Sequence, residues 1–186
     1  MNIFQRNIYL LYFLFFISIN TKAEIPPFLQ NPNNSWVDSI IKNMTLDEKI
    51  GQLFMVAAYS NKDETSYQNV DKYIKEYKVG GLIFFQGTPQ KQAELTNRYQ
   101  AESKVPLWIG FDGEWGLGMR LDNTISYPRS LTLGAIDNPQ LIYDMGKEFA
   151  RQMKRIGIHI NFAPVIDVNS NPNNPVINDR AFGDNK

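Results

Sequence analysis

The 186-residue sequence contains no cysteine, which excludes disulfides, thiolate catalysis and cysteine-based zinc sites in one step. It has one histidine, His159, so imidazole-rich metal clusters are excluded as well. Charge of one sign is lacking: 19 basic and 19 acidic side chains cancel, leaving no net field to recruit nucleic acid or an anionic membrane. Long hydrophobic runs are missing too. The longest, Ile8 to Ile19, holds about 12 residues, where a membrane-spanning helix needs about 20. No internal repeat or low-complexity tract occurs beyond an asparagine-rich stretch near the C-terminus. The length suits one domain, and 13% aromatic residues suffice for a packed core or a stacking surface.

The apolar run follows a basic start at Arg6 and precedes small residues up to Ala23. This pattern predicts a secretory signal peptide over 1–23, with a mature chain exported to the periplasm or the extracellular space. The competing reading is a buried N-terminal helix. The lack of a cysteine at the cleavage site argues against a lipid anchor, so no stable membrane anchor is expected. Residues 24–34, with three prolines and three asparagines, read as a leader, and 35–186 as the folded domain.

Within that domain two periodicities alternate. Trp36, Val37, Ile40, Ile41 and Met44 lie at helical spacing. Thr45-Leu-Asp-Glu48 has the form of a capping box opening a short helix through Ile50. Leu53–Ala57 predicts a buried strand. Glu64–Lys78 predicts a helix with Val70, Tyr73, Ile74 and Tyr77 on its apolar side. Gly80–Phe85 predicts a second strand, Pro89–Ser103 a helix with proline in its first turn, and Val105–Phe111 a third strand. Asn138 caps a helix begun by Pro139, running to Ile156 and stopped by Gly157. Ile158–Ala163 predicts a fourth strand. Such alternation predicts an α/β fold with parallel pairing, either a (β/α)8 barrel or an open doubly wound sheet. A full barrel takes about 250 residues, so the barrel reading makes the chain incomplete.

In both architectures ligands meet the C-terminal ends of the strands. Two polar segments fall there, Asp112 to Arg120 and Asn161 to Gly183. The Asp112 carboxylate can accept two adjacent sugar hydroxyls, and Trp115 offers a flat apolar face to a pyranose ring. Arg120 and Arg180 supply planar donor forks. An ordinary loop ion pair between Asp112 and Arg120 is an equal alternative. Glycosidase carboxyl pairs stand about 5–5.5 or 6.5–9.5 Å apart, but Asp112 and Glu114, as neighbours on one loop, flank a bond poorly. Binding is therefore assigned to Asp112 and a supporting role to Glu114.

Weaker signals point elsewhere and fail. Gly116-Leu-Gly118 lacks the third glycine of a dinucleotide fingerprint, and Pro128 interrupts any following helix. His159 reads as a packed histidine away from the ligand face. Asn33-Asn-Ser35 and Asn43-Met-Thr45 are glycosylation sequons that matter only in a eukaryotic host. The Asn169–Asn178 stretch lacks the acidic density of a calcium loop.

The chain resembles glycoside hydrolase family 3, the family of β-glucosidases and β-N-acetylglucosaminidases, from Trp36 to Gly183. The markers are Met44-Thr-Leu-Asp-Glu-Lys-Ile-Gly-Gln-Leu53, Gly80-Gly-Leu-Ile83, Pro106-Leu-Trp-Ile-Gly-Phe-Asp-Gly-Glu-Trp-Gly116 with Arg120, Asn161-Phe-Ala-Pro-Val-Ile-Asp167, and Asn174-Pro-Val-Ile-Asn-Asp-Arg-Ala-Phe-Gly183. The resemblance implies a (β/α)8 TIM-type barrel of which only the first half is present. It also implies that Asp112, Arg120 and Arg180 hold the hydroxyls of a terminal β-linked sugar, with Asp167 as loop support. Ala181 stands where the family commonly has serine.

The family's Lys-His pair, acid/base element and aspartate nucleophile are implied to lie beyond residue 186, so no catalytic residue is assigned within the chain. The parent protein is thus expected to be a retaining exo-β-N-acetylhexosaminidase, and these residues an N-terminal fragment inactive alone. A β-glucosidase of the same family and a non-catalytic carbohydrate-binding remnant are the alternatives. No cofactor, metal or nucleic-acid partner is implied. Half a barrel would leave two open sheet edges and an exposed inner face, favouring aggregation or disorder.

Overall fold

The computed structural model describes residue 30 and residues 34–185. The expected signal peptide, and all of the leader except residues 30 and 34, lie outside the described residues. The chain divides into two units, Met1–Asn43 and Met44–Lys186.

In the first unit, helix α1 (Ser35–Lys42) starts at Asn34, whose side chain accepts the Trp36 and Val37 N–H groups at 3.1 and 3.4 Å. Acidic Asp38 in its first turn and basic Lys42 in its last complement the helix dipole. None of its residues is buried.

The second unit opens with the expected capping box. The Thr45 hydroxyl accepts from Glu48 N–H at 3.2 Å and the Glu48 carboxylate accepts from Thr45 N–H at 2.9 Å, starting α2 (Leu46–Gly51). The remaining order is β1 (Met55–Ala58), α3 (Glu64–Lys75), β2 (Gly81–Phe84), α4 (Pro89–Glu102), β3 (Trp108–Phe111), a 3-10 turn (Leu117–Met119), α5 (Ser130–Gly134), α6 (Pro139–Arg155), β4 (Ile160–Asn161) and a second 3-10 turn (Asn178–Arg180).

All four strands pair in parallel in the order β1-β2-β3-β4. This order decides between the two architectures. A doubly wound sheet reverses direction at a switch point and carries helices on both faces. Here Ala58, Leu82, Phe84, Ile109 and Phe111 all join one core with Tyr67, Val70 and Ile74 of α3, Leu95 and Tyr99 of α4, and Met153 of α6. One face meets helices while the order advances without reversal, which is the winding of a barrel.

The opposite face carries Met55, Ala57, Gly81, Ile83, Trp108, Gly110 and Ile160, because side chains alternate along each strand. It is only partly covered, and Trp108 is 59% exposed. A Cβ on Gly110 would lie 2.8 Å from a Phe162 ring carbon and 2.9 Å from Met55 Sδ. Both side chains therefore lie across that glycine.

Several boundaries differ from the sequence reading. Leu53 and Phe54 are not strand: their N–H groups bond back to Ile50 and Gly51 carbonyls at 3.0 Å, extending the turn that leaves α2. Helix α3 ends at Lys75, and Tyr73 and Tyr77 are exposed, while Tyr67 and Asp71 join Val70 and Ile74 on the buried side. Asp71 is tolerated there because Arg98 of α4 pairs with it and with Glu64, the latter at 2.7 Å. Strand β4 is two residues long. Gly157, at φ 78°, closes α6 with Ile158 N–H bonded to Met153 O at 3.0 Å and Gly157 N–H to Lys154 O at 3.2 Å, a Schellman closure that withholds Ile158 from the sheet.

His159 is exposed and not packed inside as expected. Its Nδ1 accepts the Ile109 N–H at 3.0 Å, and its ring meets that of Trp108 edge-on at 5.8 Å. It braces β3.

Candidate carbohydrate site

Asp112 follows β3 directly, on the same side of the strand as Trp108 and Gly110, and so stands at the C-terminal rim of the partly covered sheet face. The chain then has to fold back tightly. Gly116 makes the turn at φ 85°, a conformation that side chains disfavour, and a Cβ there would lie 2.9 Å from the Tyr127 ring. The 3-10 turn after it returns Arg120 to the strand end, where Arg120 Nη2 meets Asp112 Oδ2 at 2.9 Å. The Arg120 guanidinium also lies 4.8 Å from the centre of the Phe85 ring, which itself stacks on Tyr59 at 5.5 Å. A carboxylate on one side and an aromatic face on another therefore fix this cation. Asp122 N–H bonded to Gly87 O at 2.8 Å ties the loop to the segment after β2.

Arg180 arrives from the second 3-10 turn and meets Glu114, not Asp112. Its Nε lies 3.0 and 3.2 Å from the two Glu114 oxygens, and its Nη2 lies 2.7 Å from Oε1. Its Nη1 donates to Val176 O at 3.2 Å. The Glu114 side chain is only 6% exposed, whereas that of Arg180 is 34% exposed. The hydrogen bonds to Glu114 raise the Arg180 pKa above its ordinary value, so the cation is permanent.

Trp115 is half-buried, and the Arg129 guanidinium covers one face of its ring at 4.3 Å. Arg129 also pairs with Asp179 at 3.1 Å. Successive residues of the second 3-10 turn, Asp179 and Arg180, are thus each bound to a residue of opposite charge on the chain that follows β3.

Of the four sequence-assigned residues, Asp112 and Arg120 pair with each other, Arg180 pairs with Glu114, and Trp115 lies under the Arg129 guanidinium. Both carboxylates of the Asp112–Glu114 pair are engaged by arginines. Each carboxylate thus spends acceptor capacity on a guanidinium, Asp112 through Oδ2 and Glu114 through both oxygens. Phe85, Arg129 and Asp179 were not among the sequence candidates. Phe85 carried a signal, being the last apolar residue of a strand that ends at the ligand rim; Arg129 carried none. Asp167 is exposed, and its charge contributes to raising the Arg180 pKa.

Two asparagines of the asparagine-rich stretch spend their side-chain oxygens on its own turns: Asn171 accepts from Asn173 N–H at 3.0 Å, and Asn174 from Val176 and Ile177 N–H at 2.9 and 3.3 Å. Among the described residues no cluster of histidine, aspartate and glutamate is arranged to hold a metal ion, and no helix is long and apolar enough to cross a membrane.

Residues 45–186 match the family model described as the glycosyl hydrolase family 3 N terminal domain. The chain is 36% identical over 129 residues to the beta-hexosaminidase A of Pseudoalteromonas piscicida, covering 62% of this chain and 22% of that protein. It is 28% identical over 148 residues to a periplasmic beta-glucosidase of Salmonella typhimurium, covering 78% of this chain and 18% of that protein. Among solved structures it superposes on a glycoside hydrolase family 3 beta-N-acetylglucosaminidase from Paenibacillus sp. str. FPU-7 with a TM-score of 0.65 and 33% identity. That match covers 75% of this chain and 28% of the other. The chain thus spans less than a third of each of these proteins.

Proposed function

Because this chain belongs to glycosyl hydrolase family 3, we propose that it forms the sugar-gripping side of a retaining, exo-acting β-N-acetylhexosaminidase, the hydrolase being the parent protein. Asp112, Arg120, Arg180 and Trp115 receive the terminal β-linked sugar. The single observation that carries this reading is the rim of β3, where Asp112 and Glu114 leave one strand end, each locked to its own arginine. The Asp112 carboxylate, a fixed acceptor beside the fixed donors of Arg120 and Arg180, matches adjacent sugar hydroxyls, which each both donate and accept. The neighbouring sheet face offers apolar surface from Trp108 and Phe162, both more than half exposed.

Binding is separated from turnover in this reading. No residue of the 186 is assigned as nucleophile or proton donor. Calorimetric titration with N-acetylglucosamine and glucose tests the proposal: saturable binding of N-acetylglucosamine, weakened by Asp112→Asn, is expected. A flat titration with both sugars would remove the sugar site altogether.

A β-glucosidase parent is the second reading, favoured by the periplasmic beta-glucosidase among the relatives. Tighter binding of glucose than of N-acetylglucosamine would select it. Export through removal of residues 1–23 belongs to the same proposal, supported by the basic, apolar and small-residue order of that segment. N-terminal sequencing of the secreted protein should then start at Glu24, and a retained Met1 would refute it.

A further inference from the structure

Arg180 lies on a 3-10 turn that comes 66 residues after Glu114 in the chain, and the neighbouring Asp179 ties that turn to Arg129 at 3.1 Å. The direction of its guanidinium is set by what grips its head. Glu114 takes Nε and Nη2 together, leaving Nη1 at the more exposed end, where it reaches only a backbone carbonyl. The grip is itself aimed. The Asn161 side-chain oxygen accepts the Gly113 N–H at 2.9 Å, and Gly113 packs closely, since a Cβ there would have to push aside the Met153 methyl, 2.6 Å away. Strand β4 therefore fixes Gly113, Gly113 fixes Glu114, and Glu114 fixes Arg180.

We propose that Glu114 is a positioning residue: it does not touch the sugar, but holds the Arg180 fork so that its outer N–H groups face a sugar hydroxyl. This rests on the sugar-site reading above. A bidentate carboxylate sets the plane of a guanidinium as well as its place, whereas a solvated arginine would have to lose that freedom each time a sugar bound.

The test uses the full 186-residue chain, N-acetylglucosamine as probe, and arginine side-chain NMR. Glu114→Gln removes the charge at constant shape. Glu114→Asp keeps the charge but withdraws it by one methylene, and serves if the first variant does not fold. Asp71→Asn, which breaks the remote pair with Arg98, controls for stability loss. The expected result is that both Glu114 variants weaken N-acetylglucosamine binding by about tenfold or more, the worth of one charge-assisted hydrogen bond. They should also speed solvent exchange of the Arg180 Nε–H. Asp71→Asn should lower the melting temperature without either effect.

Wild-type affinity in the Glu114 variants, or an Arg180 Nε–H exchanging as fast in the wild type as in them, overturns the inference alone. Absence of sugar binding by the wild type overturns the sugar-site reading, and the inference with it.

Discussion

Asn161 closes β4 by accepting the Gly113 N–H at 2.9 Å through its side chain, joining the ends of β3 and β4 where the sheet has run out of backbone pairs. The contact replaces a ladder bond at the point where the two strands diverge, and it sets the exit direction of the chain that carries Glu114 and Trp115.

Replacing Asn161 by alanine leaves the buried Gly113 N–H without that acceptor, which costs about 1–3 kcal/mol. The expected outcome of Asn161→Ala is a loss of that size in chemical denaturation, accompanied by faster amide exchange at Gly113. A silent substitution would mean that the two strand ends are held by other contacts.

Glu48 predicts a pH dependence. Its carboxyl lies below its ordinary value of 4.5, first because Lys104 bonds to it and second because Thr45 N–H does. The folded state thus holds this proton more weakly than the unfolded chain. The resulting stability is complete above about pH 4.5 and disappears as pH falls through the lowered folded value. Thermal melts from neutral pH to pH 3 should fall less steeply for Glu48→Gln than for the wild type. Parallel curves would assign the acid sensitivity to other carboxylates.

The outer edge of β1 predicts self-association. Phe54 O, Ala58 O and Ser60 N–H all bond towards β2 and its following loop. By alternation the Ala57 N–H points to the other edge, where no strand pairs among the described residues. Open edges recruit other chains. Light scattering should show the 186-residue chain associating, and Ala57→Pro, which removes an outward N–H without touching the β2 ladder, should reduce the effect. A monomer with a sharp cooperative melt would contradict it.

Turnover is the fourth expectation. With Asp112 bound to Arg120 and Glu114 to Arg180, the 186-residue chain should release no nitrophenol from nitrophenyl N-acetyl-β-glucosaminide above a buffer blank. Measurable release that is lost on Asp112→Asn would show that the rim carboxylates take part in the chemistry.

Local grammar made much of this fold legible. The Thr45–Glu48 box, the Asn138 cap with Pro139 behind it, and the Gly157 stop each act within a few residues, so their spacing states their structure. Asp112 could be placed because strand ends face ligands in parallel α/β folds. The partnership of Arg180 was not legible. Its choice between Asp112 and Glu114 depends on how the segment after β4 crosses the rim, and no short-range rule fixes that path. Arg129 was missed for a similar reason, since its two partners, Trp115 and Asp179, lie on either side of it in the chain and meet only after folding. Tyr73 and Tyr77 misled because helical spacing predicts a shared face but not whether anything covers it. Here they border an open apolar groove of about 680 Å3 shared with Phe54 and Val56.

The two inward glycines, Gly81 and Gly110, bear on the depth of any cavity beneath the rim. Gly110 lies two residues before Asp112 on the same side of β3, and the space its side chain would fill holds the Met55 thioether and the Phe162 ring. The floor under the carboxylate is thus laid by residues of the β1 and β4 segments, reaching inward from either side. A thioether and a hinged ring make a floor that can yield, while the two arginine pairs hold the charged rim above it in place.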